Sequence, residues 1–89
     1  MSIYVDSLKE YAKPQGNTVC RARYWCHMVT DGELEELHRF AKKLGLREWM
    51  FQPLPLPHYD LTREKRYQAV LLGAFEVSGK ELLEKCRNK

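Results

Sequence analysis

The chain has 89 residues, a formal charge of +3 and a hydrophobic fraction of 44%. That length supports one small domain with one modest core, and the apolar content excludes a disordered chain. The basic residues are mixed with acids except for a tail at Lys85, Arg87 and Lys89, so no coherent stripe marks a nucleic-acid binder.

Ile3-Tyr4-Val5 reads as a short strand ending at Asp6. Residues 7–18 form a polar surface connection with a turn signal at Pro14 to Asn17, and Leu8 to Ala12 could close one helical turn. A second strand is expected within 19–29, carrying Val19, Tyr24, Trp25, Met28 and Val29. Thr30-Asp-Gly-Glu33 has the form of a capping box. It opens a helix that runs to Leu44, stops at Gly45, and turns Leu34, Leu37 and Ala41 inward. Trp49 to Gln52 is a third strand, and Pro53, Pro55 and Pro57 stiffen a 53–57 loop that excludes regular pairing. Thr62 caps a second helix ended by Gly73, with Tyr67, Val70, Leu71 and Ala74 inward. Phe75 to Val77 is a fourth strand, and a Ser78-to-Glu81 capping box starts a last helix. The order β-β-α-β-α-β-α predicts a single α/β domain, residues 1–89. Its four-stranded sheet should be mixed or partly parallel, with two to three helices.

Three cysteines, Cys20, Cys26 and Cys86, contain no Cys-x-x-Cys pair, and the N-terminus lacks the pattern of a signal peptide. No apolar run approaches the roughly 20 residues needed to span a bilayer. The expectation is a soluble, cytoplasmic, disulfide-free protein without a membrane partner, monomeric or a weak homodimer.

Ligands of α/β sheets bind outside the strand carboxyl ends. This rule places His27, Gln52, His58, Tyr59 and Asp60 around one cleft, with Asp6 at the end of the first strand. His38, in the second turn of its helix, is expected on the opposite rim; the bland alternative is a boundary histidine bonded to backbone. In His58-x-Asp60 both side chains share a face if the backbone is extended. The pair can ligate a metal or act as a base with its orienting carboxylate, although Asp60 could instead help cap the second helix. Arg63, Lys65 and Arg66 occupy the first turn of that helix, where cations oppose the dipole. An anion bound there would account for them, with Arg63 turned inward; a solvated first turn is the alternative.

The segments Trp25-Cys-His27, Thr30-Asp31, Glu35-Glu-Leu-His38, Leu44-Gly-Leu, Trp49-Met-Phe-Gln52, His58-Tyr-Asp-Leu61, Lys65-Arg66 and Gly73-Ala span nearly the whole chain. Together they resemble a family of short bacterial and phage proteins catalogued as domain of unknown function 4031. The resemblance implies a compact single domain and no particular activity.

Three functions follow as expectations. The first is a module that binds a phosphate-bearing ligand, a nucleotide or nucleic acid, through His27, Gln52, Tyr59, Arg63, Lys65 and Arg66. The second is a metal-dependent phosphoester hydrolase in which His27, His38, His58 and Asp60 hold zinc or manganese, or in which His58, Asp60 and His38 share acid–base work. The third is a protein–protein interaction module whose histidines serve only the fold.

Overall fold

The computed structural model describes residues 2–10, 24–54 and 56–87. Their elements in chain order are β1 (Ile3–Val5), β2 (Lys9–Glu10), β3 (Tyr24–Thr30), α1 (Leu34–Lys43), a 3₁₀ turn (Glu48–Met50), β4 (Phe51–Gln52), β5 (His58–Thr62), α2 (Arg63–Leu71), β6 (Phe75–Glu76) and α3 (Gly79–Arg87). The main sheet path runs β4-β5-β3-β1-β6, and β2 pairs onto β3. The domain is therefore α/β with a mixed sheet and three helices, with five strands on that path rather than four. Among the described residues only the β1–β6 pairing is parallel; the other pairings are antiparallel. The helical crossovers are present: β3 and β4, joined through α1, run parallel with β5 between them, and β5 and β6, joined through α2, run parallel with β3 and β1 between them. The added strand is β5, which pairs antiparallel with β4, with Gln52 opposite His58.

Period-two alternation sorts the strand residues onto two faces. On one face Val5, Met28, Tyr59 and Leu61 pack against Leu37, Ala41 and Leu44 around α1 and against Ala69 of α2. Each large apolar side chain buried there stabilises by roughly 1.5–3 kcal/mol. On the other face Val29 packs with Leu82 and Cys86 of α3, flanked by Tyr4, Leu56 and Val77. One sheet thus separates α1 and α2 from α3, and that division decides which polar groups can meet.

The glycine stops behave as the sequence predicts. Gly45 has φ 82° and Gly73 has φ 113°. After α1, the Gly45 and Leu46 amides donate to the carbonyls of Lys42 and Ala41; after α2, those of Gly73 and Ala74 donate to Val70 and Ala69. This is the six-to-one and five-to-two pattern of a left-handed helix end. Thr62 Oγ1 accepts from the Lys65 amide at 3.3 Å. Ser78 and Glu81 form a reciprocal capping box, with bonds of 3.1 and 3.2 Å.

Other expectations are corrected. Thr30 does not cap α1: it ends β3, where Oγ1 donates to the Ser2 carbonyl and accepts from the Gly32 amide. Glu33 takes the cap position without a side-chain bond. The third strand is only Phe51–Gln52, because Trp49 belongs to the 3₁₀ turn. Residues 58–60 are strand, not loop, because β3 supplies a pairing partner across Asp60, Tyr59 and Leu61. Tyr67 and Leu71 of α2 are exposed, at 66% and 68%, because the inward line of that helix runs through Ala69 instead. Lys9 and Glu10 pair with Trp25 and Tyr24 as strand rather than forming a helical turn. The expectations for residues 11–18, including the Pro14 turn, and for 19–23 lie outside the described residues.

Candidate functional site

The site is built on the α3 face of the sheet, and strand register assembles it. His27 of β3 stands directly opposite Asp60 of β5. Gln52 of β4 stands opposite His58, and His58 and Asp60 are two residues apart on one strand. Directly opposed residues and i, i+2 neighbours point the same way, so all four side chains project from one face. His27 and Asp60 lie mid-strand and His58 opens β5, while Gln52 sits at the carboxyl end of β4. The strand-end rule applies to adjacent parallel strands, and here β5 stands antiparallel between β3 and β4. His27 accordingly lies mid-strand rather than near the end of its strand.

Distances within the group are short. His58 Nε2 lies 3.4 Å from Asp60 Oδ1, and His27 Nε2 lies 4.0 Å from the same oxygen. The two imidazoles meet edge to face with centroids 5.3 Å apart. One ligand atom from each of His27, His58 and Asp60 lies within 4.8 Å of the others. Tetrahedral bonds of about 2.0–2.1 Å would set neighbouring donors about 3.3–3.4 Å apart. The Asp60–His58 edge already has that length, and the remaining edges close through small side-chain rotations.

Each of the three residues is held by a contact to its outer atom. Asp6, 2% exposed just after β1, takes His27 at two points. Its Oδ1 accepts the His27 backbone amide at 2.7 Å, and its Oδ2 lies 2.9 Å from Nδ1. His58 Nδ1 lies 2.6 Å from the Leu56 carbonyl. The Gln52 amide donates to Asp60 Oδ2. A carboxylate and a carbonyl only accept, so both imidazoles carry their hydrogen on Nδ1 and present Nε2 inward. Asp60 likewise presents Oδ1. Such outer contacts fix ring orientation and tautomer in metal centres.

The electrostatics point the same way. Burial alone would pull the His58 pKa down, but hydrogen bonds to Asp60 and the Leu56 carbonyl, with the Asp60 and Asp6 charges, raise it above its ordinary value. Burial alone would raise that of Asp60, yet bonding to His58, the His58 charge, the Gln52 amide and His27 hold it below the usual carboxylate range. A positive charge is therefore favoured between these groups. The site opens into a cleft of about 200 Å³ whose other walls are Val29, Leu54, Leu56, Leu82 and Leu83.

The remaining sequence candidates lie elsewhere. His38 projects from α1 on the opposite face, where Nδ1 lies 2.7 Å from the Tyr59 hydroxyl and the ring packs edge-on against Phe51. The sheet stands between His38 and the His27 group, so the expected four-residue convergence reduces to three. Tyr59 is 1% exposed and faces that same core, away from the cleft. Arg63 is exposed rather than inward, its guanidinium 4.8 Å from the centre of the Tyr24 ring. Lys65 Nζ donates to the Leu44 carbonyl at 2.6 Å. Arg66 Nε donates to the Asp6 carbonyl at 2.8 Å, and its guanidinium pairs with Glu76 at 3.0 Å. Lys65 and Arg66 thus each hold a backbone carbonyl of the chain itself. Asp60 does not cap α2; its two oxygens serve the cluster. The role of Asp6 was missed beyond its place at the end of β1, because the antiparallel match of β1 to β3 leaves no signal in local sequence.

Among the described residues no helix is long and apolar enough to cross a membrane. Cys26 and Cys86 are buried free thiols. Residues 3–89 match the family described as protein of unknown function (DUF4031), and the chain belongs to that family. No curated protein and no solved structure gives a significant match.

Proposed function

We propose that this member of the family is a small divalent-metal-dependent phosphoester hydrolase, with His27, His58 and Asp60 holding a zinc or manganese ion. One observation carries the reading: Asp6, the Leu56 carbonyl and Gln52 each occupy the outer atom of one residue, leaving one ligand atom of each within 4.8 Å of the other two. Two imidazoles and one carboxylate suit borderline divalent ions, and three protein ligands leave a coordination position open, as in catalytic rather than structural sites. A bound cation supplies a water of lowered pKa and a Lewis acid for the phosphoryl oxygen.

The chain's own groups do the positioning. Asp6 holds His27, while Gln52 keeps Asp60 bound through a single oxygen. In the hydrolysis, the oxygen of water forms a new bond to phosphorus as the bond to the leaving alcohol oxygen breaks. One water proton ends on that alcohol, or in solvent when the leaving group is a stable phenolate. Among the described residues lining the cleft, every polar side chain belongs to the cluster or supports it. This favours substrates whose leaving group needs no protonation. It also motivates a second reading, in which the site binds a phosphate-bearing ligand without turnover.

The test is elemental analysis after equilibration with zinc or manganese, together with turnover of bis(4-nitrophenyl) phosphate by the wild type and Asp60→Ala. Stoichiometric metal with Asp60-dependent release of 4-nitrophenolate supports the hydrolase. Phosphate binding without release leaves the binding module, and absence of metal, release and phosphate binding removes both readings.

A further inference from the structure

The cleft beside the cluster has two unlike ends. His27, Gln52, His58 and Asp60 form its polar end, while Val29, Leu54, Leu56, Leu82 and Leu83 form the rest. Leu54 is 76% exposed and Leu83 is 43% exposed, so core packing does not explain these two, whereas Val29 and Leu82 belong to the core under α3 and Leu56 packs against it. Single exposed leucines are ordinary, but a group of them converging on a polar site marks a ligand groove. No lysine or arginine lines the cleft among the described residues. Lys9 Nζ and Asp6 Oδ2 lie beside Gly79 at the start of α3, and Lys9 does not form a wall.

From this division we infer that the substrate is a phosphodiester with a compact apolar substituent, and not a nucleotide or nucleic-acid end. The inference rests on the hydrolase reading for its reacting group and on the leucines for the rest. A nucleoside polyphosphate or a nucleic-acid strand brings several negative charges, and binders of such ligands meet them with arginine and lysine. Among the described residues this cleft offers one cation position, enough for a single phosphoryl group. Its volume of about 200 Å³ compares with the roughly 150 Å³ of an apolar cavity that accepts benzene. A butyl chain or one phenyl ring fits that space. The leucines then act as specificity residues, holding the substituent while the phosphoryl group faces the cluster.

Two measurements test this. Hydrolysis rates are compared for the methyl, butyl and thymidine 5′ esters of 4-nitrophenyl phosphate. Butyl should exceed methyl in kcat/KM by about tenfold, less than the full burial of three methylenes would give, and the thymidine ester should fall below both. Leu83→Lys should erase the butyl preference without removing the metal. Separately, methyl-labelled leucine spectra are followed during titration with butylphosphonate, methylphosphonate and thymidine monophosphate, in a readout that needs no turnover. Butylphosphonate alone should move the Leu54, Leu56, Leu82 and Leu83 signals. If those signals move without metal binding or turnover, the hydrolase reading fails and the apolar pocket stands. Equal rates across the esters, preference for thymidine, or leucine signals that ignore butylphosphonate overturn the inference.

Discussion

Replacing Asp6 by asparagine separates holding the fold from preparing a metal ligand. Asp6 accepts the His27 amide through one oxygen and faces Nδ1 with the other. Asparagine is nearly isosteric, and its carbonyl oxygen can still accept the backbone amide. Its NH2 group then faces Nδ1, and a donor there requires a lone pair on that nitrogen. Neutral His27 must place its hydrogen on Nε2, the atom that faces the cluster. Loss of such an outer contact lowers metal affinity by about 10–100-fold, or about 1.4–2.7 kcal/mol at 1.36 kcal/mol per decade. The assay is zinc titration against a chromophoric chelator, with circular dichroism to verify folding. Asp31→Asn is the control: that carboxylate accepts from the Ser2 amide and the Tyr4 hydroxyl, away from the cluster, and its loss should not change affinity. A folded Asp6→Asn protein that binds zinc within about twofold of wild type would refute the tautomer argument.

Three further outcomes are expected. His38→Ala should leave metal affinity unchanged while lowering stability by about 1–3 kcal/mol, the cost of stranding the buried Tyr59 hydroxyl; chemical denaturation with parallel zinc titration checks both, and weakened binding would contradict the two-face assignment. In chelator-treated protein, the raised His58 pKa contributes stability that is complete below its unfolded value of 6.5 and fades as pH rises through the folded one. The lowered Asp60 pKa contributes stability that is complete above 3.8 and fades as pH falls through the folded value. Denaturation midpoints across pH should therefore peak between these limits, and His58→Gln should flatten the alkaline side; an unchanged alkaline decline would count against the pair. Burial, with the Asp6 charge, pushes the Cys26 thiol up to about 12, so peptide-resolved alkylation at pH 8 should spare Cys26 until the protein unfolds; labelling as fast as in denaturant would be inconsistent with that burial.

Local chemistry was legible in the sequence wherever a few neighbouring residues decide the outcome. Gly45 and Gly73 end helices because the chain there enters positive φ, and Ser78 with Glu81 caps α3 across one turn. The pairing of His58 with Asp60 also followed from spacing, given an extended backbone. Thr30 shows the limit of such reasoning: its motif matches a capping box, but pairing with Ile3 carries β3 through it. The strand β5 was hidden behind three prolines and polar His58, Asp60 and Thr62, though buried Tyr59 and Leu61 alternate with them at period two. That alternation was the available signal. Which face each group occupies was not available. His38 and His27 look equivalent as isolated imidazoles, and only the sheet order puts a layer of backbone between them. Arg66 looked like an anion ligand until the fold placed the Asp6 carbonyl within its reach. Long-range register decides these cases, and register is set by tertiary pairing rather than by any short window.

The central claim is that His27, His58 and Asp60 form one metal-binding unit to which His38 does not belong. Its most direct test is the metal-to-protein ratio after zinc loading and dialysis, compared for wild type, His38→Ala and the His58→Ala/Asp60→Ala double variant. The account predicts one equivalent in the first two and none in the third. A wild type that retains far less than one equivalent, or a double variant that keeps its metal, would contradict it.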